Sequence, residues 1–263
     1  MKTIPGFLKR KAAGQAITMV TCYDAAVARI LNKTSIDALL VGDSCAMVVH
    51  GFDSTVHATI DMMVTHTEAV RRGAPDKVIV ADLPFLSYRK GLDVAVDAVA
   101  ALMRAGANAV KLERGRGNLE LIRHLVEGGV PVMGHLGLTP QAVNELGGYK
   151  LQARSVAAAK ELLDEARSLE EAGCFSIVLE CVPGKVAREV TDLLAIPTIG
   201  IGCGPEVSGQ VLVVNDLLGM DASFSPRFAR KYTNLSQVIS DAVEGYCEDT
   251  VAGTFPAAGE FTA

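Results

Sequence analysis

The sequence has no long run of like charge and no long apolar run. Its formal net charge at pH 7 is -5, spread along 263 residues, and this argues against nucleic acid and anionic membranes as partners. Every apolar stretch is interrupted before the roughly 18 residues that are needed to cross a bilayer. The basic residues at the amino terminus are not followed by an apolar segment, which argues against a secretory signal. We therefore expect a cytoplasmic protein that acts on small solutes.

The sequence also has no CxxC pair, no low-complexity segment and no linker rich in proline or serine. The six cysteines lie largely within apolar runs, which is typical of reduced, mostly buried thiols rather than of a disulfide framework. Hydrophobic residues make up 49% of the chain, enough for a substantial core. We predict one domain over residues 1-263, with a short N-terminal helical extension and a polar C-terminal tail.

Short apolar runs recur along the chain and alternate with helical patterns of crossover length. The runs begin at residues 16, 37, 77, 108, 130, 175, 196 and 210. Each is short and mostly apolar on both alternations, as is typical of parallel strands that are covered on both faces. Eight such strands predict an α/β fold, the (β/α)8 TIM barrel. An open Rossmann-like sheet is the second possibility, although no GxGxxG follows the first run.

Acidic and other polar residues follow these runs, whereas mostly apolar residues and lysine precede them. Asp43 and Ser44 end the second run, in "ALLVGDSCAM", and Asp82 ends the third. Lys111 and Glu113 lie two apart in the fourth run and therefore share a face, which we predict to be the barrel interior. Barrel enzymes carry their active sites at the carboxyl ends of the strands. The same end of this barrel is the predicted active site.

Three of these residues, Asp43, Asp82 and Glu113, are carboxylates from consecutive strands. If they converge, their mutual repulsion requires a cation, and an all-oxygen ligand set suits Mg²⁺ better than Zn²⁺. The alternative is that each acid caps the helix after its strand.

Two further strands end in titratable residues. His135 ends the fifth strand as either a functional residue or a core histidine, and Glu180 follows four apolar residues at the end of the sixth. Desolvation there should raise the pKa of Glu180, which makes it a candidate general base; a buried ion pair is the alternative. Gly200 to Gly204, "GIGCG", could bind a phosphate or form a tight turn. Among the remaining histidines we find no metal-ligand spacing, and we expect His66 to begin a helix.

Several motifs in order along residues 15 to 230 resemble one enzyme family. They include "LLVGDSCAMVVHGFDST", "MRAGANAVKLE", "PVMGHLGLTPQAVNELGGYKLQ", "VLECVP" and "IPTIGIGCG". The chain resembles the ketopantoate hydroxymethyltransferases (3-methyl-2-oxobutanoate hydroxymethyltransferases). That resemblance implies a barrel of the phosphoenolpyruvate/pyruvate superfamily type, one Mg²⁺ per subunit, 5,10-methylenetetrahydrofolate as cosubstrate and a homo-oligomer, typically a homodecamer.

The resemblance also implies roles for residues at the matching positions. Asp43, Asp82 and Glu113 are the implied metal set, and Glu180 is the implied base that abstracts a proton. The implied substrate ligands are Asp43, Ser44, Asp82, Lys111 and His135. The implied reaction adds a hydroxymethyl group to 3-methyl-2-oxobutanoate through an enolate and yields 2-dehydropantoate for pantothenate biosynthesis.

The chain departs from the family pattern at Cys45, Arg114 and Cys203, and none of these changes removes an implied ligand. Two other functions stay open. One is a C-C lyase of the same superfamily, such as a methylisocitrate lyase-like protein, although the Lys-Lys-Cys-Gly-His type of loop is missing from the sequence. The other is a noncatalytic barrel that binds a keto acid.

Overall fold

A computed structural model describes residues 3-222 and 226-261 of the chain. The chain divides into two compact units, Met1–Val213 and Val214–Ala263. The prediction of one domain over residues 1-263 stays a prediction.

The first unit contains all eight predicted strands; seven lie within their apolar runs, and the eighth begins one residue before its run. They are β1 (Ile17–Thr21), β2 (Ala38–Val41), β3 (Val78–Asp82), β4 (Ala109–Glu113), β5 (Val132–Gly137), β6 (Ser176–Glu180), β7 (Thr198–Ile201) and β8 (Gly209–Leu212). They form a closed barrel in sequence order. Every neighbouring pair is parallel, and β1 closes the ring by pairing with β8. The predicted (β/α)8 barrel is confirmed.

Helices connect the strands. Those of the first unit are α1 (Pro5–Ala12), α2 (Ala25–Asn32), α3 (Cys45–Val48), α4 (Ile60–Gly73), α5 (Leu92–Arg104), α6 (Leu119–Glu127), α7 (Val143–Leu146), α8 (Val156–Glu171) and α9 (Gly184–Leu193), with short 3-10 turns at Thr55–His57 and Pro140–Ala142. The second unit contains α10 (Val214–Leu218) and α11 (Leu235–Ala252). No helix in the described ranges is long and apolar enough to cross a membrane.

The barrel interior is filled by apolar side chains from alternate strand positions, among them Met19, Leu40, Val80 and Met133. Because side chains alternate across a strand, the residues between them face the helix layer. At the carboxyl ends of β3, β4 and β5 the interior positions are polar instead. They are occupied by Asp82, Lys111, Glu113 and His135.

Helix α1, the predicted N-terminal extension, packs against the opposite end of the barrel. Its Phe7 is fully buried in the interior cluster, and its ring meets that of Phe175 edge to face at 5.2 Å between centroids. Lys11 Nζ donates hydrogen bonds to the carbonyl oxygens of Thr191, Leu194 and Ile196, at 2.9, 2.6 and 2.8 Å. The first helix is therefore fixed to the end of α9 and to the segment that leads into β7.

One helix begins earlier than the sequence predicts. His66 lies in the middle of α4, which begins at Ile60, so the expectation that His66 begins a helix is wrong. The physical reason is the cap: Thr59 Oγ1 accepts a hydrogen bond from the backbone N–H of Met62 at 3.2 Å, which satisfies one of the free donors of the first turn.

The thiols agree with the predicted reduced state. All six cysteines are free, and Cys22, Cys45, Cys174 and Cys203 are buried. Cys247 in α11 is the exposed one.

Candidate active site

The seven predicted site residues lie together at the carboxyl end of the barrel. Asp82 and Glu113 are the last residues of β3 and β4, Glu180 is the last residue of β6, Lys111 and His135 lie within β4 and β5, and Asp43 and Ser44 follow β2. Asp43, Asp82, Lys111, Glu113 and His135 are buried. Charged groups this deep must be paired, because an unpaired buried charge is costly.

Lys111 lies at the centre of this cluster. Its Nζ is 3.0 Å from Asp82 Oδ1 and 3.3 Å from His135 Nδ1. Burial lowers the pKa of Lys111, but the charges of Asp82, Asp43 and Glu113 outweigh burial and raise it overall. The side chain is therefore a permanent cation at neutral pH. In register, Asp82 is the partner of Lys111 across β3 and β4, which explains why the pair forms.

His135 is neutral, because burial and then the charge of Lys111 hold its pKa well below the usual value. An ammonium group can only donate hydrogen bonds, so the Nδ1 that faces Lys111 is the acceptor nitrogen. The ring proton then resides on Nε2, which lies 3.2 Å from Glu180 Oε2. No described residue forms a well-aligned hydrogen bond with Nε2. This N–H is thus a buried donor that a ligand could use.

Glu180 ends β6 with only 15% of its side chain exposed. Burial raises its pKa to about 7, and Lys111 opposes part of that rise. A carboxylate with this pKa is both present and basic at neutral pH, as a general base must be. The predicted effect of the apolar run on the pKa of Glu180 is confirmed in direction.

Asp43, Asp82 and Glu113 lie in a common negative field. Asp82 Oδ2 accepts a hydrogen bond from the backbone N–H of Asp43 at 3.1 Å, which links the ends of β2 and β3. Burial, and then the charge of Asp82, raises the pKa of Asp43 to about 7. Burial, and then the charge of Asp43, raises the pKa of Glu113 well above its ordinary value. A bound cation would relieve this repulsion.

The chemistry of this donor set fits a hard divalent cation, which prefers carboxylate oxygens. Asp82 Oδ1 has no well-aligned hydrogen-bond partner in the described part of the chain, although Lys111 is near it. Within the same residues, no group of three or more His, Cys, Asp or Glu side chains is arranged around a metal position. The set Asp43, Asp82 and Glu113 therefore stays a prediction.

Gln141, which the sequence reasoning missed, connects two of these carboxylates. Its Nε2 donates to Asp43 Oδ2 at 2.8 Å and to the Leu83 carbonyl oxygen at 2.9 Å, and its backbone N–H donates to Glu113 Oε2 at 3.1 Å. Its Oε1 accepts from the hydroxyl of Tyr88 at 2.8 Å. Its position in "GHLGLTPQ", six residues after His135, was the available signal.

A second missed group surrounds Ser44. The hydroxyl of Tyr23 lies 2.8 Å from Ser44 Oγ, and the Tyr23 carbonyl oxygen lies 2.6 Å from His66 Nδ1. His66 Nε2 is in turn 2.9 Å from His50 Nε2. These contacts join residues far apart in sequence, so spacing alone could not reveal them. They hold the side chains of Tyr23 and Ser44 together just after β2.

The glycine segment at β7 has a packing explanation. A Cβ on Gly200 would lie 2.7 Å from Cys203 Sγ and 2.9 Å from Val207 Cγ2. Gly202 and Gly204 have φ of +65° and +86°, a backbone region that favours glycine. These observations favour the tight turn, and phosphate binding by this segment stays a prediction.

Comparison with known sequences gives one family. Residues 1–258 match the family model described as ketopantoate hydroxymethyltransferase. Proteins named 3-methyl-2-oxobutanoate hydroxymethyltransferase are similar over almost the whole chain. That of Francisella tularensis subsp. novicida is 53% identical over 97% of both chains. That of Bdellovibrio bacteriovorus is 52% identical over 99% of both, and that of Coxiella burnetii is 47% identical over 96% of this chain and 95% of its own.

Solved structures show the same architecture at low sequence identity. A putative phosphonomutase from Burkholderia cenocepacia has a TM-score of 0.67 at 16% identity, covering 92% of this chain and 99% of its own. A 2,3-dimethylmalate lyase of the PEP mutase/isocitrate lyase superfamily has a TM-score of 0.62 at 17% identity, covering 100% of this chain and 92% of its own. At these identities the likeness concerns the fold alone, a (β/α)8 barrel.

Proposed function

Because the chain belongs to the ketopantoate hydroxymethyltransferase family, as its motifs indicate, we propose that it transfers a hydroxymethyl group from 5,10-methylenetetrahydrofolate to 3-methyl-2-oxobutanoate. The product is 2-dehydropantoate, an intermediate of pantothenate biosynthesis. The observation that carries the chemistry is Glu180: a buried carboxylate with a pKa of about 7, next to a cation and a neutral histidine.

Glu180 removes the proton from C3 of the keto acid. A C–H bond next to a carbonyl is a weak acid, so its removal needs a positioned base and a way to stabilise negative charge on the carbonyl oxygen. Burial gives the Glu180 carboxylate a pKa near the working pH. Its Oε2 lies 3.2 Å from His135 Nε2, so the base and the proposed substrate donor face the same space.

Lys111, His135 and Ser44 orient the keto acid. Lys111 supplies a positive charge that is fixed by Asp82 at 3.0 Å and attracts the substrate carboxylate. His135 supplies the Nε2–H donor, which no described residue already uses in a well-aligned hydrogen bond. Ser44 supplies a hydroxyl whose oxygen lies 2.8 Å from the hydroxyl of Tyr23. Asp43 and Asp82 complete the proposed substrate site.

The same carboxylates are the proposed ligands of one Mg²⁺ per subunit. Asp43, Asp82 and Glu113 would hold the ion, and it would offset the negative charge that develops on the substrate oxygens. The raised pKa values of Asp43 and Glu113 follow from burial and mutual charge, so these two side chains would lose protons as the ion binds.

Isotope exchange tests the base. In D₂O, Mg²⁺ and the protein should exchange the C3 proton of 3-methyl-2-oxobutanoate without folate, and NMR follows this directly. Glu180→Gln should lower the exchange rate by about 10²-fold or more while Mg²⁺ binding persists. Glu127→Gln, an exposed glutamate at the end of α6, is the matched control. Equal exchange by Glu180→Gln and the unsubstituted protein would exclude Glu180 as the base.

A second assay tests the whole reaction against the two other functions. Tetrahydrofolate-dependent cleavage of 2-dehydropantoate, with Mg²⁺ present, should release 3-methyl-2-oxobutanoate. A superfamily lyase predicts cleavage that does not depend on folate, and a noncatalytic barrel predicts only thermal stabilisation by the keto acid. Failure of folate-dependent turnover would refute the proposed function.

We also propose that the chain assembles as a homo-oligomer, as a homodecamer in the family pattern, and that it works in the cytoplasm. Helix α11 supports self-association: it contains no buried residue over 18 positions, and it exposes large hydrophobic side chains. These are Val238, Ile239, Val243, Tyr246 and Val251. Exposed apolar surface of this kind is typical of interfaces. Light scattering coupled to size exclusion measures the mass.

A further inference from the structure

A pocket of about 330 Å³ lies beside the catalytic end of the barrel. Its walls come from the segments after β3 and β4, from the end of β5 and the segment after it, and from α8. Three arginines line it, Arg89, Arg114 and Arg116, together with Glu161 and Glu165. The guanidinium groups outnumber the carboxylates, so the lining favours an anionic ligand.

Two of the arginines are held by the protein itself. Arg89 donates from Nη1 and Nη2 to the carbonyl oxygens of Gly117 and Arg116, both at 3.0 Å. Arg114 donates from Nη1 to Glu145 Oε2 at 2.7 Å and from Nε to Thr139 Oγ1 at 3.3 Å. These contacts reduce the conformational freedom of both side chains before any ligand arrives.

Arg116 differs from the other two. Within residues 3-222 and 226-261, no hydrogen bond or ion pair to its guanidinium group is found. Its backbone is nevertheless fixed, because Glu165 Oε1 accepts hydrogen bonds from the backbone N–H groups of Gly115 and Arg116, at 2.7 and 2.9 Å. The Glu165 carboxylate is therefore already engaged. The guanidinium group of Arg116 can therefore pair with the carboxylate of a ligand, while the backbone that carries it stays in place.

Backbone strain is concentrated around the same pocket. Four non-glycine residues have a positive φ in the described chain, and two of them line the pocket: Arg114 at +64° and Ala153 at +51°. The other two adjoin lining residues. The carbonyl oxygen of Leu86 accepts the N–H of Arg89, and that of Cys181 accepts the N–H of Gln152. Such conformations cost energy, and they cluster at ligand sites.

The pocket adjoins the reaction centre. Arg114 directly follows Glu113, the proposed metal ligand, and the lining residue Gly137 is the register partner of Glu180 across β5 and β6. Leu136 and Leu162, also in the lining, give it an apolar wall. The backbone of the lining is therefore directly connected to the strand ends that carry Glu113 and Glu180.

We propose that the arginine pocket, the cavity lined by Arg89, Arg114 and Arg116, binds the glutamate carboxylates of the folate cosubstrate. The inference rests on the proposed function. The transferred carbon is carried by the pterin end of folate, which must reach the keto acid, whereas the p-aminobenzoyl and glutamate groups extend away from it. An apolar wall suits the aromatic ring, and guanidinium groups pair with carboxylates through two parallel hydrogen bonds.

Two carbon donors, one with and one without glutamate, test the pocket. These are 5,10-methylenetetrahydrofolate and 5,10-methylenetetrahydropteroate. Arg116→Ala should raise KM for the folate donor by about tenfold, the worth of one charge-assisted pair, and should change KM for the pteroate donor by less than about twofold. Arg116→Lys should recover part of the loss for the folate donor. Arg167→Ala, an exposed arginine of α8 outside the lining, is the matched control.

Direct binding gives a readout that does not depend on turnover. In calorimetry, p-aminobenzoylglutamate should bind the unsubstituted protein about tenfold more tightly than Arg116→Ala, and p-aminobenzoate should show no such difference. Equal effects of Arg116→Ala on both donors, or no effect, would overturn the inference. Binding of inorganic phosphate in place of p-aminobenzoylglutamate would overturn it too.

The two proposals fail in different ways. If the unsubstituted protein forms no 2-dehydropantoate with either donor, the proposed function is wrong. If it forms 2-dehydropantoate from both donors with the same KM, the proposed function holds and the arginine pocket does not bind the glutamate tail.

Discussion

Gln141→Leu should strongly destabilise the protein, because one side chain satisfies three buried polar groups. Its amide contacts Asp43 Oδ2, the Leu83 carbonyl oxygen and the Tyr88 hydroxyl, at 2.8, 2.9 and 2.8 Å. Leucine has nearly the same size but no polar atom. The substitution therefore leaves these partners buried without the hydrogen bonds they now make, rather than leaving a cavity.

The magnitude follows from those contacts. A buried polar group that loses its partner costs about 1–3 kcal/mol, and the bond to the Asp43 carboxylate is charge-assisted and so belongs to the upper part of that range. The three losses share one site and will not add fully. We expect the free energy of unfolding to fall by about 3 kcal/mol or more. The hydrogen bond from Gln141 also lowers the pKa of Asp43, so the same change should raise it.

Equilibrium unfolding in urea, monitored by circular dichroism without Mg²⁺, measures the loss. Gln210→Leu is the matched control, because the exposed Gln210 makes a single side-chain bond, from Nε2 to the Gly204 carbonyl oxygen at 2.8 Å. It should lose less than about 0.5 kcal/mol. If Gln141→Leu loses no more than this control, the assignment of Gln141 as the residue that supports Asp43 and Tyr88 is refuted.

Four further predictions concern charge and backbone. The C3 exchange rate should fall as pH decreases through about 7, because Glu180 is then protonated; a pH profile that is flat from 6 to 8 would contradict this. In Mg²⁺-free protein, the free energy of unfolding should decrease as pH rises from about 4 to about 7. Asp43 and Glu180 have ordinary pKa values of 3.8 and 4.5 and folded values of about 7, so the folded state binds protons more tightly than the unfolded state. Urea midpoints measured across that range check the sign. Mg²⁺ should bind more tightly at pH 8 than at pH 6 with release of protons, and Asp43→Asn should weaken binding; calorimetry in buffers of different ionisation enthalpy measures both. Arg114→Gly should relieve the strain at φ +64° and keep the free energy of unfolding within about 1 kcal/mol or raise it, while KM for the folate donor increases; a stability loss above about 2 kcal/mol would show that Arg114 serves the fold instead.

The barrel itself could be predicted from sequence because its signal is local. Each strand is a short apolar run. The change from apolar to polar residues marks its carboxyl end, and Asp82, Glu113 and Glu180 lie at such changes. Strand alternation then paired Lys111 with Glu113 on the interior face. These inferences use only neighbouring residues and the period of a strand.

The contacts among these residues could not be predicted in the same way. Gln141 reaches Asp43 across 98 sequence positions, from a 3-10 turn whose direction no periodicity gives. The contact between His50 and His66 depends on the course of the segment before α4, which no periodicity predicts. The predicted start of that helix, His66, was wrong because Thr59 caps the helix seven residues earlier. The positive φ of Arg114 could not be predicted either. It is a property of the backbone, and an arginine in a loop gives no sign of it in the sequence.

The attachment of α1 has a consequence for synthesis of the protein. Lys11 is synthesised well before the carbonyl oxygens that it binds, which lie 180 to 185 positions later, and β1 closes the ring only with β8. Helix α1 must therefore wait, with Phe7 exposed, until its partners in the later strands and in α9 have emerged. Contacts of such long sequence separation form slowly, and an unsatisfied apolar segment is prone to aggregate in the meantime. Growing chains in which β8 (Gly209–Leu212) has not yet emerged are thus the form of this protein that most needs chaperone protection.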